Sequence, residues 1–317
     1  MKVAKVTAYG GPEGIVFAEM PEPTAKPGEV LVRVKTSPVT AGDVRIRSGK
    51  VPRGFGTILR LVFGWKAPRN PVQGWSFAGL VIGGDGFAPG ARVFGITGIR
   101  GGAHGEVVSV PVIQVMAMPD QMSFDEAAAF WFGGLTAAEF LIDKAQVMSG
   151  DRVLVNGATG AVGSAAVQIA ASLGAVVTAV CSAGNADLAL RLGAVAVVDY
   201  RKAAPSGVFD VILDVIGTLP WPAAQPLMAP GTRLCLITAE LAQILGAALR
   251  PKRNGRRVIA GTSGEGRAKM ERLLALYESG IYRPLVGQIY PFAEIRAAHS
   301  RAETFSKPGT IVLRITD

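Results

Sequence analysis

The chain has 317 residues, 49% of them hydrophobic, and a formal charge of +9. That length suits about two domains with sizeable cores, and its apolar runs are broken by glycine, proline or charge before the ~20 residues a bilayer span needs, so a membrane-spanning protein is excluded and no membrane partner is expected. The densest basic cluster, Arg250, Lys252, Arg253, Arg256 and Arg257, lacks the aromatic interleaving of a single-strand binder, so it reads as a solvated loop and nucleic-acid binding is not expected.

Residues 1–9 alternate like a strand and lack the long apolar centre of a secretory signal, which leads to an expected cytoplasmic location. Short β-like runs follow at Val30 to Lys35, Phe77 to Ile82, Arg92 to Phe94 and Glu106 to Val110, separated by glycine and proline. They predict a compact, mainly antiparallel barrel. Between them, Pro52 to Trp65 is apolar, aromatic and glycine-rich. With Phe55 and Trp65 it suits the wall of a flat hydrophobic substrate pocket, or equally a loop packed on the barrel. Ser123 with Glu126 three residues on is a capping-box signature and opens a connecting helix.

The most informative stretch is Asp151 to Ser164. Val153 to Val155 form a short apolar strand, and Gly157, Gly160 and Gly163 recur at three-residue spacing as the chain turns into a helix over Ala161 to Leu173. Glycine permits torsions and close approaches that a Cβ blocks, and the first helical turn offers free N–H groups at the positive end of the dipole. A pyrophosphate is therefore expected on Gly157, Ala158, Thr159, Gly160, Ala161, Val162 and Gly163. Strands at Val176 to Cys181, Val195 to Val198, Phe209 to Val215 and Arg233 to Ile237, with a helix at Asn185 to Leu192, complete an alternating pattern that argues for a buried parallel sheet of the dinucleotide-binding kind.

The end of the second strand addresses which dinucleotide binds. NAD sites usually place a carboxylate there, whereas this chain has Cys181-Ser182-Ala183-Gly184-Asn185. Ser182 and Asn185 can donate to a 2′-phosphate, and Tyr200, Arg201 and Lys202 follow the third strand, so NADPH is favoured over NADH. The competing reading makes Ser182 and Asn185 helix caps, and Asp199 opposes a nearby phosphate. Cys181 and Cys235 fall in predicted parallel strands where they could adjoin, and are expected to be inert core thiols.

A helix over Gly266 to Ser279 precedes a β-α-β ending: Gln288 to Phe292, Glu294 to Ala302 and Thr310 to Ile315. The expected domains are residues 1–121 and 262–317 around an inserted cofactor domain, 122–261, with the active site in the cleft between them.

The segment Pro38 to Gly49, Gly134-Leu-Thr-Ala137, the Gly157 to Gly163 turn, Leu192-Gly-Ala194, Asp199-Tyr200 and the ending from Tyr290 to His299, in this order, make the chain similar to the medium-chain dehydrogenase/reductase superfamily, in its zinc-independent quinone oxidoreductase branch. The resemblance implies a GroES-like barrel joined to a Rossmann domain, usually as a homodimer. Zinc-dependent relatives carry Gly-His-Glu where this chain has Gly74-Trp75-Ser76, and the four-cysteine structural lobe is absent. His104 and His299 are the only histidines and both read as structural, so no metal is expected.

Without a metal to polarise a simple carbonyl, hydride delivery from NADPH to a quinone or an α,β-unsaturated carbonyl is the expected reaction, and the oxygen on which charge develops needs preorganised donors. The resemblance points to Thr40, where quinone reductases commonly have Asn, as a donor to substrate or ribose, and to Asp43 as an orienting acid. A helix-capping Asp43 is the plainer alternative. Thr136 is expected to approach the nicotinamide or, failing that, to pack a helix. Trp75 is expected to fill the space of the missing zinc and shape the pocket. Two alternatives stand beside this: a reductase or dehydrogenase of simple aldehydes, ketones or alcohols, and an NADPH-binding regulatory or RNA-binding protein with little turnover.

Overall fold

The structure, a computed structural model, describes residues 1–249, 253–304 and 307–316. Of the basic cluster, Arg250 and Lys252 lie outside the described residues. Arg256 is turned onto its own domain, where its Nε donates to the Ala229 carbonyl at 3.1 Å.

The chain first forms a hairpin of β1 (Lys2–Val6) and β2 (Ile15–Glu19), then β3 (Glu29–Val39), α1 (Ala41–Ser48), α2 (Gly56–Phe63), β4 (Ser76–Gly84), β5 (Arg92–Ile96), β6 (Val107–Pro111), β7 (Val115–Ala117) and the long α3 (Phe124–Ala138). The second region comprises β8 (Arg152–Asn156), α4 (Ala161–Ser172), β9 (Val176–Cys181), α5 (Ala186–Arg191), β10 (Ala196–Asp199), β11 (Phe209–Asp214), α6 (Trp221–Ala224), β12 (Met228–Leu236), α7 (Leu241–Leu249) and β13 (Arg257–Ala260). The tail adds α8 (Arg267–Glu278), β14 (Val286–Pro291), α9 (Ile295–Glu303) and β15 (Thr310–Arg314).

Two large sheets result. One runs β14-β15-β3-β4-β5-β7 with β6 also on β3, and is antiparallel except for the β14–β15 pair. β15 pairs with β3 through Ile311 opposite Val39, so the tail does return to the first sheet. The other sheet is wholly parallel, in the order β10-β9-β8-β11-β12-β13, which is the order of dinucleotide-binding sheets. Helices on both faces explain why Val153, Leu154 and Val155 are all fully buried: neither face of a covered parallel sheet is left for polar residues. The architecture is a GroES-like barrel with a Rossmann domain.

α3 ties the two together. Its capping box is in place, with Ser123 Oγ accepting from Glu126 N and Ser123 N donating to the Glu126 carboxylate. Its buried face joins α4 and α8 in one apolar cluster, and contact with α4 is so close that a Cβ on Gly133 would lie 2.2 Å from the Ala161 carbonyl oxygen. α3 continues into a π-helical turn, Glu139–Lys144. Burial alone would raise the Glu139 carboxyl, but Lys269, Lys144 and the Gly264 N–H hold it below its usual range. This clamp fixes the loop before α8.

Cys181 and Cys235 do not adjoin. They lie on β9 and β12, with β8 and β11 between, and both are buried free thiols. Register alone could not show this, since the sequence does not state the sheet order. Among the described residues no helix is long and apolar enough to cross a membrane.

Candidate functional site

A cavity of about 410 Å³ opens between the two sheets. Its floor is the turn from β8 into α4. Gly157 has φ +88°, and a Cβ there would approach Ile216 Cγ2 at 2.7 Å. Gly163 lets the helix sit on the turn, since a Cβ would fall 2.0 Å from the Gly157 carbonyl oxygen. Gly160 caps α4 with no side-chain hydrogen bond, and the first turn carries no acid, so the helix presents its backbone N–H groups and dipole to an anion. The tail braces this turn: Gly309 N donates to Thr159 O at 2.8 Å.

Of the residues expected at the cofactor, Gly157, Thr159, Gly160, Ala161, Val162, Ser182, Asn185 and Tyr200 line this cavity. Ala158 and Gly163 belong to the turn but not to the lining. Asn185 Nδ2 reaches Ser182 Oγ at 3.2 Å, and neither side chain caps a helix. The capping alternative therefore does not account for them. Asp199 does not line the cavity. Its carboxylate accepts from Arg201 N.

Thr40 lines the cavity from the opposite side. It is the N-cap of α1 in a closed capping box, donating from Oγ1 to Asp43 Oδ2 at 2.6 Å and accepting from Asp43 N at 3.2 Å. Asp43 is buried behind it, with Oδ1 accepting from Gly74 N at 3.3 Å, and does not line the cavity. Thr136 is likewise set back: its Oγ1 donates to Phe132 O, 2.8 Å, and meets Ser263 Oγ at 3.2 Å. Phe55 and Trp65 line neither this cavity nor the smaller recess described next.

Trp75, expected to shape the pocket, lines neither this cavity nor the smaller recess but packs between residues of the two. Its ring packs edge-on against Phe132, 6.0 Å between centroids, and Phe132 lines the main cavity. Its indole N–H donates to Glu265 Oε1 at 2.7 Å, and Glu265 lines a recess of about 330 Å³ with Thr97, Gln114 and Ser263. Burial raises the Glu265 carboxyl, against the opposing pull of the indole N–H. His104 and His299 are both buried, edge to face at 5.8 Å, and neither lines either of these two cavities. Among the described residues no group of three or more His, Cys, Asp and Glu side chains converges as a metal site.

Arg45 and Lys307 line the cavity without a sequence signal of their own. Arg45 spans the cleft, donating to Thr238 Oγ1 at 3.1 Å, and burial lowers its pKa. Lys307 and Arg201 complete a set of three cations, and no Asp or Glu is among the lining residues. Asn156 donates to Asp214 Oδ1 and Thr218 Oγ1, both 2.8 Å, shaping the rim between β8 and β11. A polar residue at the end of each of two apolar strands was the available clue to that pair.

A glycine turn in the cleft between a barrel and a Rossmann sheet is the arrangement of dinucleotide-binding folds, and the fold has counterparts among known proteins. A family described as zinc-binding dehydrogenase matches residues 192–313. The chain is 27% identical to the quinone oxidoreductase of Pongo abelii over 94% of its own length and 93% of that protein's. It is also 27% identical to the human synaptic vesicle membrane protein VAT-1 homolog, covering 97% of this chain and 85% of that one. The quinone oxidoreductase of Thermus thermophilus, solved also in complex with NADPH, superposes with a TM-score of 0.79 at 29% identity, over 99% of this chain and 100% of that one. The chain belongs to the medium-chain dehydrogenase/reductase superfamily. Within it, the chain falls in the quinone oxidoreductase-like branch.

Proposed function

We propose that the protein is an NADPH-dependent, zinc-independent reductase of quinones or α,β-unsaturated carbonyls, working in the cytoplasm as a homodimer. The observation that carries the cofactor reading is the lining itself: three cations, a glycine turn at a helix N-terminus and no carboxylate. The turn would hold the pyrophosphate, while Ser182, Asn185, Tyr200, Arg201 and Lys307 would surround a 2′-phosphate. When bound, the cofactor supplies the hydride.

The chain's own residues position and shield. Thr40, held by Asp43, faces the reacting end from the barrel, and Phe132 backed by Trp75 gives a flat apolar wall suited to a conjugated ring. The Gly74-Trp75-Ser76 segment is engaged in other contacts, which favours acceptors whose conjugation already spreads the developing charge. β13 ends its sheet with an open edge, a surface on which two copies can meet.

Titrating the protein with NADPH and NADH by fluorescence, then adding phenanthrenequinone, a simple enone and an unconjugated ketone, tests the proposal. NADPH-selective binding with turnover of the first two is the expected result. Turnover of the ketone alone assigns a simple-carbonyl reductase, and binding without turnover assigns a regulatory role. Ser182→Asp should weaken NADPH more than NADH, and equal losses would remove Ser182 from the phosphate site.

A further inference from the structure

The segment read from sequence as a pocket wall folds instead into α2, and it is apolar on two sides. Leu59 points inward and is 7% exposed, with Phe55 and Phe63 half-buried beside it. The helix also carries Ile58, Leu61 and Val62, exposed by 44%, 62% and 48%, and Trp65 just past its end is exposed by 62%. Ile58, Leu61 and Val62 fall at helical spacing i, i+3, i+4 on α2, the pattern that normally faces a core, and Trp65 follows just past the helix end, beyond Gly64. Three large apolar side chains on one short helix and a tryptophan beside its end are a patch rather than scattered exposure.

The rim of this patch has one sign of charge. Lys50, Arg53, Arg60, Lys66 and Arg69 are all exposed, and no acidic residue occurs between Asp43 and Asp85. Among the described residues the only ion pair these five make is a loose one, Arg53 to Glu240 at 3.9 Å. Arg60 donates to Trp65 O at 2.8 Å and Arg69 to Val62 O at 3.3 Å, so their charge is held beside the patch without being neutralised. Tyr9 Oη donates to Gly64 O at 2.7 Å and fixes the end of the helix to the barrel.

We propose that this face of α2 docks on an anionic phospholipid surface, with Ile58, Leu61, Val62 and Trp65 seated among the acyl chains and the five cations among the headgroup phosphates. Charge complementarity selects this occupant. A two-fold contact with a second copy would set the same five cations against themselves, whereas an anionic bilayer offers phosphates around an apolar interior and a preferred level for tryptophan. No crossing span is needed, which is why a search for long apolar runs passes over it. The docked face adjoins the cavity: Arg53 O accepts from Leu241 N at 3.0 Å, three residues beyond Thr238 in the lining. The docking does not depend on the reductase reading.

Flotation of the full chain with vesicles of phosphatidylcholine alone, and of phosphatidylcholine with about one third phosphatidylglycerol, tests this. Binding to the anionic vesicles only, released by salt, is expected. The pair Leu61→Glu with Trp65→Glu should abolish flotation while leaving the thermal melt unchanged, because both side chains are exposed. Arg60→Gln with Lys66→Gln should weaken partitioning by roughly tenfold or more. Absence of flotation, equal binding to neutral vesicles, or equal flotation by both double variants and the unaltered protein overturns the proposal. So does a self-associated species in sedimentation velocity that the Leu61→Glu, Trp65→Glu pair dissociates, since that assigns the face to a second copy.

Discussion

Lys307 carries a charge that its surroundings resist. Burial, and secondarily the Arg301 guanidinium, pull its pKa down to about 8. A phosphate beside it would restore the charged form and raise that value. Below pH about 8 the ammonium is present with or without ligand, so affinity is full; above it, binding must take up a proton, and affinity falls by at most tenfold per pH unit until the bound-state pKa is reached. NADPH dissociation constants measured across this range should show that decline, and Lys307→Gln should flatten it while weakening NADPH by about tenfold, the scale of one charge-assisted hydrogen bond. His299 runs the other way. Burial first, then His104 and Arg47, hold its pKa well below 6.5, so the unfolded chain binds more protons once the pH drops through the ordinary histidine range. Stability is therefore complete above that range and lost on acidification, by up to ~1.4 kcal/mol per pH unit. Denaturant unfolding of His299→Leu between neutral and mildly acid pH should show a shallower acid slope than the unaltered protein, whatever the change in its baseline.

At the scale of elements, the junction of β8 and α4 depends on a missing side chain. A Cβ on Gly163 would meet backbone on both sides, 2.0 Å from Gly157 O and 2.8 Å from Ala158 Cα, and neither can swing aside as a side-chain tip would. Gly163→Ala should cost about 1–3 kcal/mol, the usual penalty of overpacking, and loosen the turn for phosphate. Gly184→Ala, where nothing lies within 4 Å, is the control that should leave the melting temperature nearly unchanged. Elements of this kind are legible in a sequence because glycine spacing and unbroken apolar runs report purely local demands. β12 is less so: it begins at Met228, and its Ala229-Pro-Gly231 start reads as a turn. α2 is flanked by glycines and apolar on two sides, so no single period identifies it. Arg45 and Lys307 escaped notice for a different reason, since only the sheet order and the returning tail bring them to a turn far away in sequence. Thr40 and Asp43 were legible as a pair, but whether a capping pair faces a cavity is decided by tertiary packing.

Across the whole molecule, the place where zinc-dependent relatives hold their metal is closed by hydrogen bonds that tie the barrel segments to the loop before α8. Gly74 N donates to Asp43, Trp75 reaches Glu265 on the loop before α8, and Ser37 Oγ donates to Ser76 O at 2.8 Å. The buried His104 donates from Nε2 to the Pro38 carbonyl, 3.0 Å away, rather than turning toward Trp75. Zinc needs three or four convergent nitrogen, sulfur or carboxylate ligands, and the side chains at this junction are instead engaged with each other and with the backbone. Prolonged dialysis against a chelator should therefore leave both the melting temperature and NADPH-dependent turnover unchanged, and added zinc should restore nothing. The contrast lies with Trp75→Ala, which removes the indole bridge to Glu265 and the support behind Phe132. That variant should keep NADPH affinity within a few-fold, because the phosphate turn is untouched, yet lose turnover by tenfold or more. Loss of cofactor affinity on the same scale would mean that Trp75 holds the two domains together rather than shaping the acceptor's wall.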